Sequence, residues 1–119
     1  MKTRPKGNSG IFFHTTYQAK GIPAKGFEFQ INNTGSDQRY RTGAIYPTKP
    51  LDKVLLKDDE WFECHLSVRG NKVVLKVNGE TTHDVEFPLM RRAAYRYRVA
   101  HLRSRVTTRA ALSISAVFA

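Results

Sequence analysis

The sequence predicts an all-β sandwich, and three observations carry that prediction. Apolar and polar residues alternate strictly over residues 27–32 and again over 62–69, the period-two pattern of a half-buried strand. The turn-forming pairs Gly70-Asn71 and Asn78-Gly79 interrupt the later alternating runs at hairpin spacing. No stretch before residue 88 has helical periodicity of useful length.

Taken in order, residues 11–15 form a first short strand, entered directly from an Asn8-Ser9-Gly10 turn. A loop with turn signals at Gly21, Pro23 and Gly26 follows. Phe27, Phe29 and Ile31 then point to one face of a strand, and Glu28, Gln30 and Asn32 to the other. Residues 32–37, Asn-Asn-Thr-Gly-Ser-Asp, are a turn cluster. Residues 42–47 make a brief strand closed by Pro47, and 49–59 a charged loop. Phe62, Cys64, Leu66 and Val68 alternate with Glu63, His65, Ser67 and Arg69, and Val73, Leu75 and Val77 return after the first turn. Asn78-Gly79 favours a type I′ hairpin, so three antiparallel strands form a meander. Trp61, which opens it, is expected to pack between the sheets.

At 119 residues, with 40% hydrophobic and 25% charged residues, the chain reads as one soluble domain. No apolar run approaches the roughly 18 residues of a membrane span. The basic N-terminus has no apolar stretch behind it, so no signal peptide is expected in the chain as it stands. Cys64, the single cysteine, excludes an internal disulfide and a cysteine-based zinc site, and reads as a buried strand thiol.

The net charge of +10 suggests nucleic acid until its distribution is read. Residues 1–87 carry +3, while 88–119 carry seven Arg and no Lys, Asp or Glu. The charge therefore describes the tail, and neither nucleic acid nor membrane is expected as a partner. Weak alternation and missing turn residues leave 88–119 as a basic amphipathic element, or as an edge strand with disordered chain. The expected division is a β-domain over 1–87 and a basic tail over 88–119.

On the polar face, Glu28, Gln30 and Asn32 project side by side at about 7 Å spacing. This suits recognition of hydroxyl groups, with the carboxylate placed for proton transfer. The wet face of any antiparallel sheet alternates in the same way, and periodicity alone favours that plainer reading. Asn8 and Ser9 are either the rim of such a groove or a turn that caps a strand. His14 falls on the opposite side from Phe13 and is either a ligand-binding, acid/base or metal-binding group, or an exposed strand histidine. Tyr46 either stacks on a sugar ring or joins the core. His65, His83 and His101 read as structural or exposed.

The stretches NSGIFFHT, GFEFQI, TGAIY and EWFECHLSVRGNKVVLKVNGE, in this order over Asn8 to Glu80, resemble the 3-keto-disaccharide hydrolase domain family, found mostly in bacteria. That resemblance implies a concanavalin A-like jelly roll, incomplete here. Several strands that precede the Asn-Ser-Gly motif in the family are expected to be missing, and the family's closing strands are not visible after Phe87. A frameshift from about Leu89 onward would account for the Lys-free, acid-free tail. The family's setting implies a periplasmic or secreted location.

The resemblance also assigns chemistry. Glu28 and Gln30 occupy the acid and amide of a G-x-E-x-Q motif, and are implied to be catalytic. Asn8, Ser9, His14, Asn32 and Tyr46 are implied to bind the carbohydrate substrate. The reaction implied is cleavage of glycosides whose sugar is already a ketone at C3. The ketone acidifies the C2 proton, so one base and donors for the developing oxyanion suffice, unlike ordinary glycosidases with two flanking carboxylates. No cofactor is certain; a divalent metal is compatible with the resemblance, but the sequence shows no ligand set for one. A non-catalytic carbohydrate-binding module and a degenerate fragment are the alternatives.

Overall fold

The structure is a computed structural model that describes residues 1–15, 23 and 26–88, together with the backbone of two strands at 106–107 and 113–117. Nine strands follow in chain order among these residues: β1 (Lys2–Thr3), β2 (Ser9–Phe13), β3 (Phe27–Ile31), β4 (Ile45–Tyr46), β5 (Cys64–Arg69), β6 (Lys72–Val77), β7 (Glu80–Glu86), β8 (Val106–Thr107) and β9 (Ser113–Val117). No helix occurs among them. Three sheets result: β2-β3-β4, β7-β6-β5-β9, and the two-stranded β1-β8. All pairings are antiparallel except that β9 runs parallel to β5.

The alternation seen in the sequence decides which faces meet. Ile11, Phe13, Phe29, Ile31 and Ile45 from the three-stranded sheet pack with Phe62, Cys64, Leu66, Val68, Val73, Leu75, Val77 and Phe87 in one buried cluster. Each of these is 8% exposed or less, so the two larger sheets face each other as an all-β sandwich. The meander follows the expected registers, from Cys64↔Val77 to Arg69↔Lys72. Its second turn has φ of 48° at Asn78 and 78° at Gly79, the left-handed pair that defines type I′.

Four expectations need correction. The first strand begins at Ser9, not Ile11, because Ser9 and Gly10 pair with Ile31 and Gln30; long-range pairing overrides local turn propensity here. It also ends at Phe13, since His14 has φ 52° and leaves the extended region. The strand expected over 42–47 shrinks to Ile45–Tyr46, because residues 41–44 turn back through an Ala44 N–H to Arg41 carbonyl bond of 2.9 Å. Trp61 is 43% exposed with the Lys2 ammonium over its ring: Phe62 and Cys64 take the inward parity, and Trp61 is left on the outward one.

A bulge between Leu75 and Lys76 on one side and His83 and Thr81 on the other gives β7 an extra residue, Thr82. Neighbouring side chains of a regular strand point apart, but here both reach one acceptor. The Thr82 hydroxyl donates to the Gly43 carbonyl at 2.9 Å, and His83 Nδ1 lies 2.9 Å from the same oxygen. The bulge thus latches the four-stranded sheet to the loop that leads into β4.

Of the tail, β8 and β9 are in the structure, while His101 and the rest of 89–119 lie outside the described residues. Gly21 in the first loop lies outside them too.

Candidate functional site

Every second residue of β3 faces away from the core, and that face carries the polar set. Glu28 stands opposite Phe12 of β2 and Tyr46 of β4, and Gln30 stands opposite Gly10. An open cavity of about 250 Å³ lies on this face, lined by Asn8, Glu28, Gln30, Asn32, Asp37, Tyr40 and Tyr46. Five of the seven residues singled out in the sequence, Asn8, Glu28, Gln30, Asn32 and Tyr46, are brought together here.

Glu28 and Gln30 are buried although polar, at 7% and 5% exposure. Gln30 Nε2 donates to Asn8 Oδ1 at 2.7 Å. That bond fixes both amides and leaves the second Gln30 N–H and the Asn8 amino group as donors.

The Glu28 side chain leans diagonally across onto β2. A methyl carbon built on Gly10 would stand 2.0 Å from Glu28 Oε1, 2.3 Å from Cγ and 2.5 Å from Cδ. The carboxylate therefore occupies the place a side chain at position 10 would take.

Asn32 lines the cavity, but its amide is committed to the chain that follows. Nδ2 donates to the carbonyls of Asp37 and Tyr40, at 2.9 and 3.1 Å, and Oδ1 accepts the Gly35 N–H at 2.7 Å. Arg41 Nη1 reaches the Gly35 carbonyl at 2.9 Å. This network folds residues 33–41 over the sheet and delivers Asp37 and Tyr40, two lining residues that sequence reasoning missed. Position 37 was legible as the end of a turn cluster; nothing in the pattern showed that the turn closes onto β3.

The Tyr40 and Tyr46 rings meet edge to face, with centroids 5.0 Å apart at 73°, and the Tyr40 hydroxyl donates to the Pro47 carbonyl. Tyr46 is 44% exposed, so this wall is an aromatic rim and not part of the core. The Arg39 guanidinium bonded to Asp37, at 3.3 Å, holds that carboxyl below the usual carboxylate range.

Ser9 and His14 lie elsewhere. Ser9 is fully buried and, opposite Ile31, shares the parity of Ile11 on the inner side. His14 Nε2 lies 3.1 Å from the Gly70 carbonyl, and its ring meets Phe13, Phe27 and Phe87 edge-on at 5.5, 6.2 and 6.5 Å. The positive φ explains the departure from alternation, since it swings the imidazole to the Phe13 side. Burial lowers the His14 pKa, partly opposed by the backbone hydrogen bond. His83 is engaged in the Gly43 latch. Cys64 is buried between the sheets, which pushes its thiol up to about 12, a protonated and unreactive state.

Among the described residues no group of three His, Cys, Asp or Glu side chains is arranged to hold a metal ion. Glu28 and Asp37 are the acidic groups at the cavity, and two carboxylates do not by themselves make a ligand set.

A family model described as a 3-keto-alpha-glucoside-1,2-lyase-like domain matches residues 1–105 of this chain. No curated protein matches it.

Proposed function

The chain belongs to the 3-keto-alpha-glucoside-1,2-lyase-like domain family, and from that premise we propose that it cleaves the glycosidic bond of sugars oxidised to a ketone at C3. Glu28 is the base that takes the C2 proton. The C2–H electron pair moves into the C2–C3 bond as the C3 carbonyl becomes an enolate oxygen. The enolate then re-forms the ketone, a C1=C2 double bond appears, and the C1–O pair leaves with the aglycone oxygen, which takes up a proton. Water added back across C1=C2 would complete a net hydrolysis.

The spare N–H groups of Gln30 and Asn8 supply donors to the enolate oxygen. Tyr46, with Tyr40 bracing it, offers a ring face to the sugar. The single observation that carries the reading is the burial of Glu28 beside the Asn8–Gln30 amide pair on the wall of one cavity.

The test is turnover of a 3-keto-disaccharide by the purified chain. Glu28→Gln keeps the shape and removes the base, and should lower kcat about 10²- to 10⁴-fold. The exposed Tyr46 favours a second reading, in which the cavity binds sugars without chemistry. Saturable binding with no turnover in the wild-type chain would support that reading and overturn the first.

A further inference from the structure

Gly10 calls for an explanation that backbone conformation does not supply. Gly26, Gly43, Gly70 and Gly79 have positive φ, but Gly10 does not, and it sits inside β2 with a regular partner in Gln30. A glycine in a strand interior weakens the strand, and it commonly marks a place where another group must come close. Here that group is the Glu28 side chain. The nearest atoms to a Cβ at position 10 are Oε1, Cγ and Cδ of Glu28, all at 2.5 Å or less.

Glu28 pairs directly with Phe12, and Gly10 is its diagonal neighbour on the Gln30 side. Diagonal neighbours lie about 7–8 Å apart, within reach of a long side chain. With that space vacant, Glu28 lies over β2, towards the Asn8–Gln30 pair and away from Tyr46 on β4. With a methyl group there, Glu28 would have to change rotamer, and the near side of β2 would close to it.

We infer that Gly10 is a positioning residue: its missing side chain is the seat of the Glu28 carboxylate, and it sets the direction from which that carboxylate acts. This rests on the reading of Glu28 as the base, but its physical core does not require turnover. Gly10→Ala adds one carbon in the volume that Glu28 fills, so the two positions must be coupled in the free protein.

The experiment is a double-mutant cycle read in two ways. In urea unfolding, Gly10→Ala should lower the midpoint in the wild-type background and leave it unchanged or raised in Glu28→Ala, where the collision partner is gone. An equal drop in both backgrounds would overturn the inference. If Gly10→Ala fails to fold, Gly10→Ala/Glu28→Ala should still fold, and failure of both overturns it.

In turnover of a 3-keto-disaccharide, Gly10→Ala should cut kcat at least about 10²-fold with a smaller change in KM. Adding it to Glu28→Gln should cost nothing further, since a displaced base and an absent base are equivalent. Full kcat in Gly10→Ala, or losses that multiply in the double variant, would overturn it. If the wild-type chain shows no turnover, the proposed reaction falls, while the urea cycle still decides the seat.

Discussion

His14 shows how one dihedral angle reassigns a residue. Strand parity puts it across from Phe13, free to face a ligand, yet φ of 52° brings its ring among Phe13, Phe27 and Phe87. Burial lowers its pKa below the ordinary 6.5. The unfolded chain then takes up the proton first as pH falls, so stability held above about pH 6.5 is lost on acidification through that value towards the lowered one. The urea midpoint should therefore drop between about pH 7.5 and 5.5, and His14→Gln, which cannot ionise, should flatten that drop. An unchanged slope in the variant would show that His14 is not the titrating group. Side-chain parity was legible in the sequence; a positive φ at a non-glycine residue was not, because it depends on what the ring packs against.

At the level of elements, the two hairpins of the meander were plain in the sequence because their turns are local chemistry. Asn78-Gly79 fills two left-handed positions, and an alanine at the second would adopt φ near 78° at a strain of about 1–2 kcal/mol. Gly79→Ala should lose about that much in urea unfolding with the m-value unchanged.

The bulge at Thr82 and the loop over 33–41 were not legible: the bulge meets a segment far away in sequence, and the loop is shaped by side-chain bonds from Asn32 and Arg41 to particular carbonyls, which turn composition does not specify. Thr82→Ala deletes a hydroxyl that bonds the Gly43 carbonyl, 39 residues away, and should cost about 1 kcal/mol. Asn32→Ala leaves the carbonyls of Asp37 and Tyr40 without their shared donor, at about 1–3 kcal/mol. It should also weaken ligand binding at the cavity, which equilibrium titration would detect. Asn32 was singled out as a sugar contact, and the structure gives its amide a prior engagement in building the wall.

Across the whole molecule, the sandwich could be read in advance because period-two patterning states which face of each strand is buried. Leu66, Val73, Leu75 and Val77 all landed inside. Leu75→Ala, at a fully buried position, should cost about 2–5 kcal/mol and lower the melting temperature with no specific effect on kcat in the molecules that remain folded. The family, too, was legible, from four short motifs in order. The grouping of Asp37 and Tyr40 with Glu28 could not be read, since turn composition announces that a chain reverses but not where it comes to rest.

That division between strand and loop has a bearing on how the site could diversify. Glu28 and Gln30 share a strand with Phe29 and Ile31, so a one-residue insertion there exchanges cavity for core and is lost with the fold. Residues 33–41 carry Asp37 and Tyr40 on a segment tied down near both ends, by Asn32 and Asn33 at its start and by Arg41 at its close, with residues 34, 36, 38 and 39 exposed between them. Changes of length or charge in that segment leave the hydrophobic contacts of β3 untouched. Selection for a different ligand would find its raw material there, with Glu28 and Gln30 held constant beneath a replaceable rim.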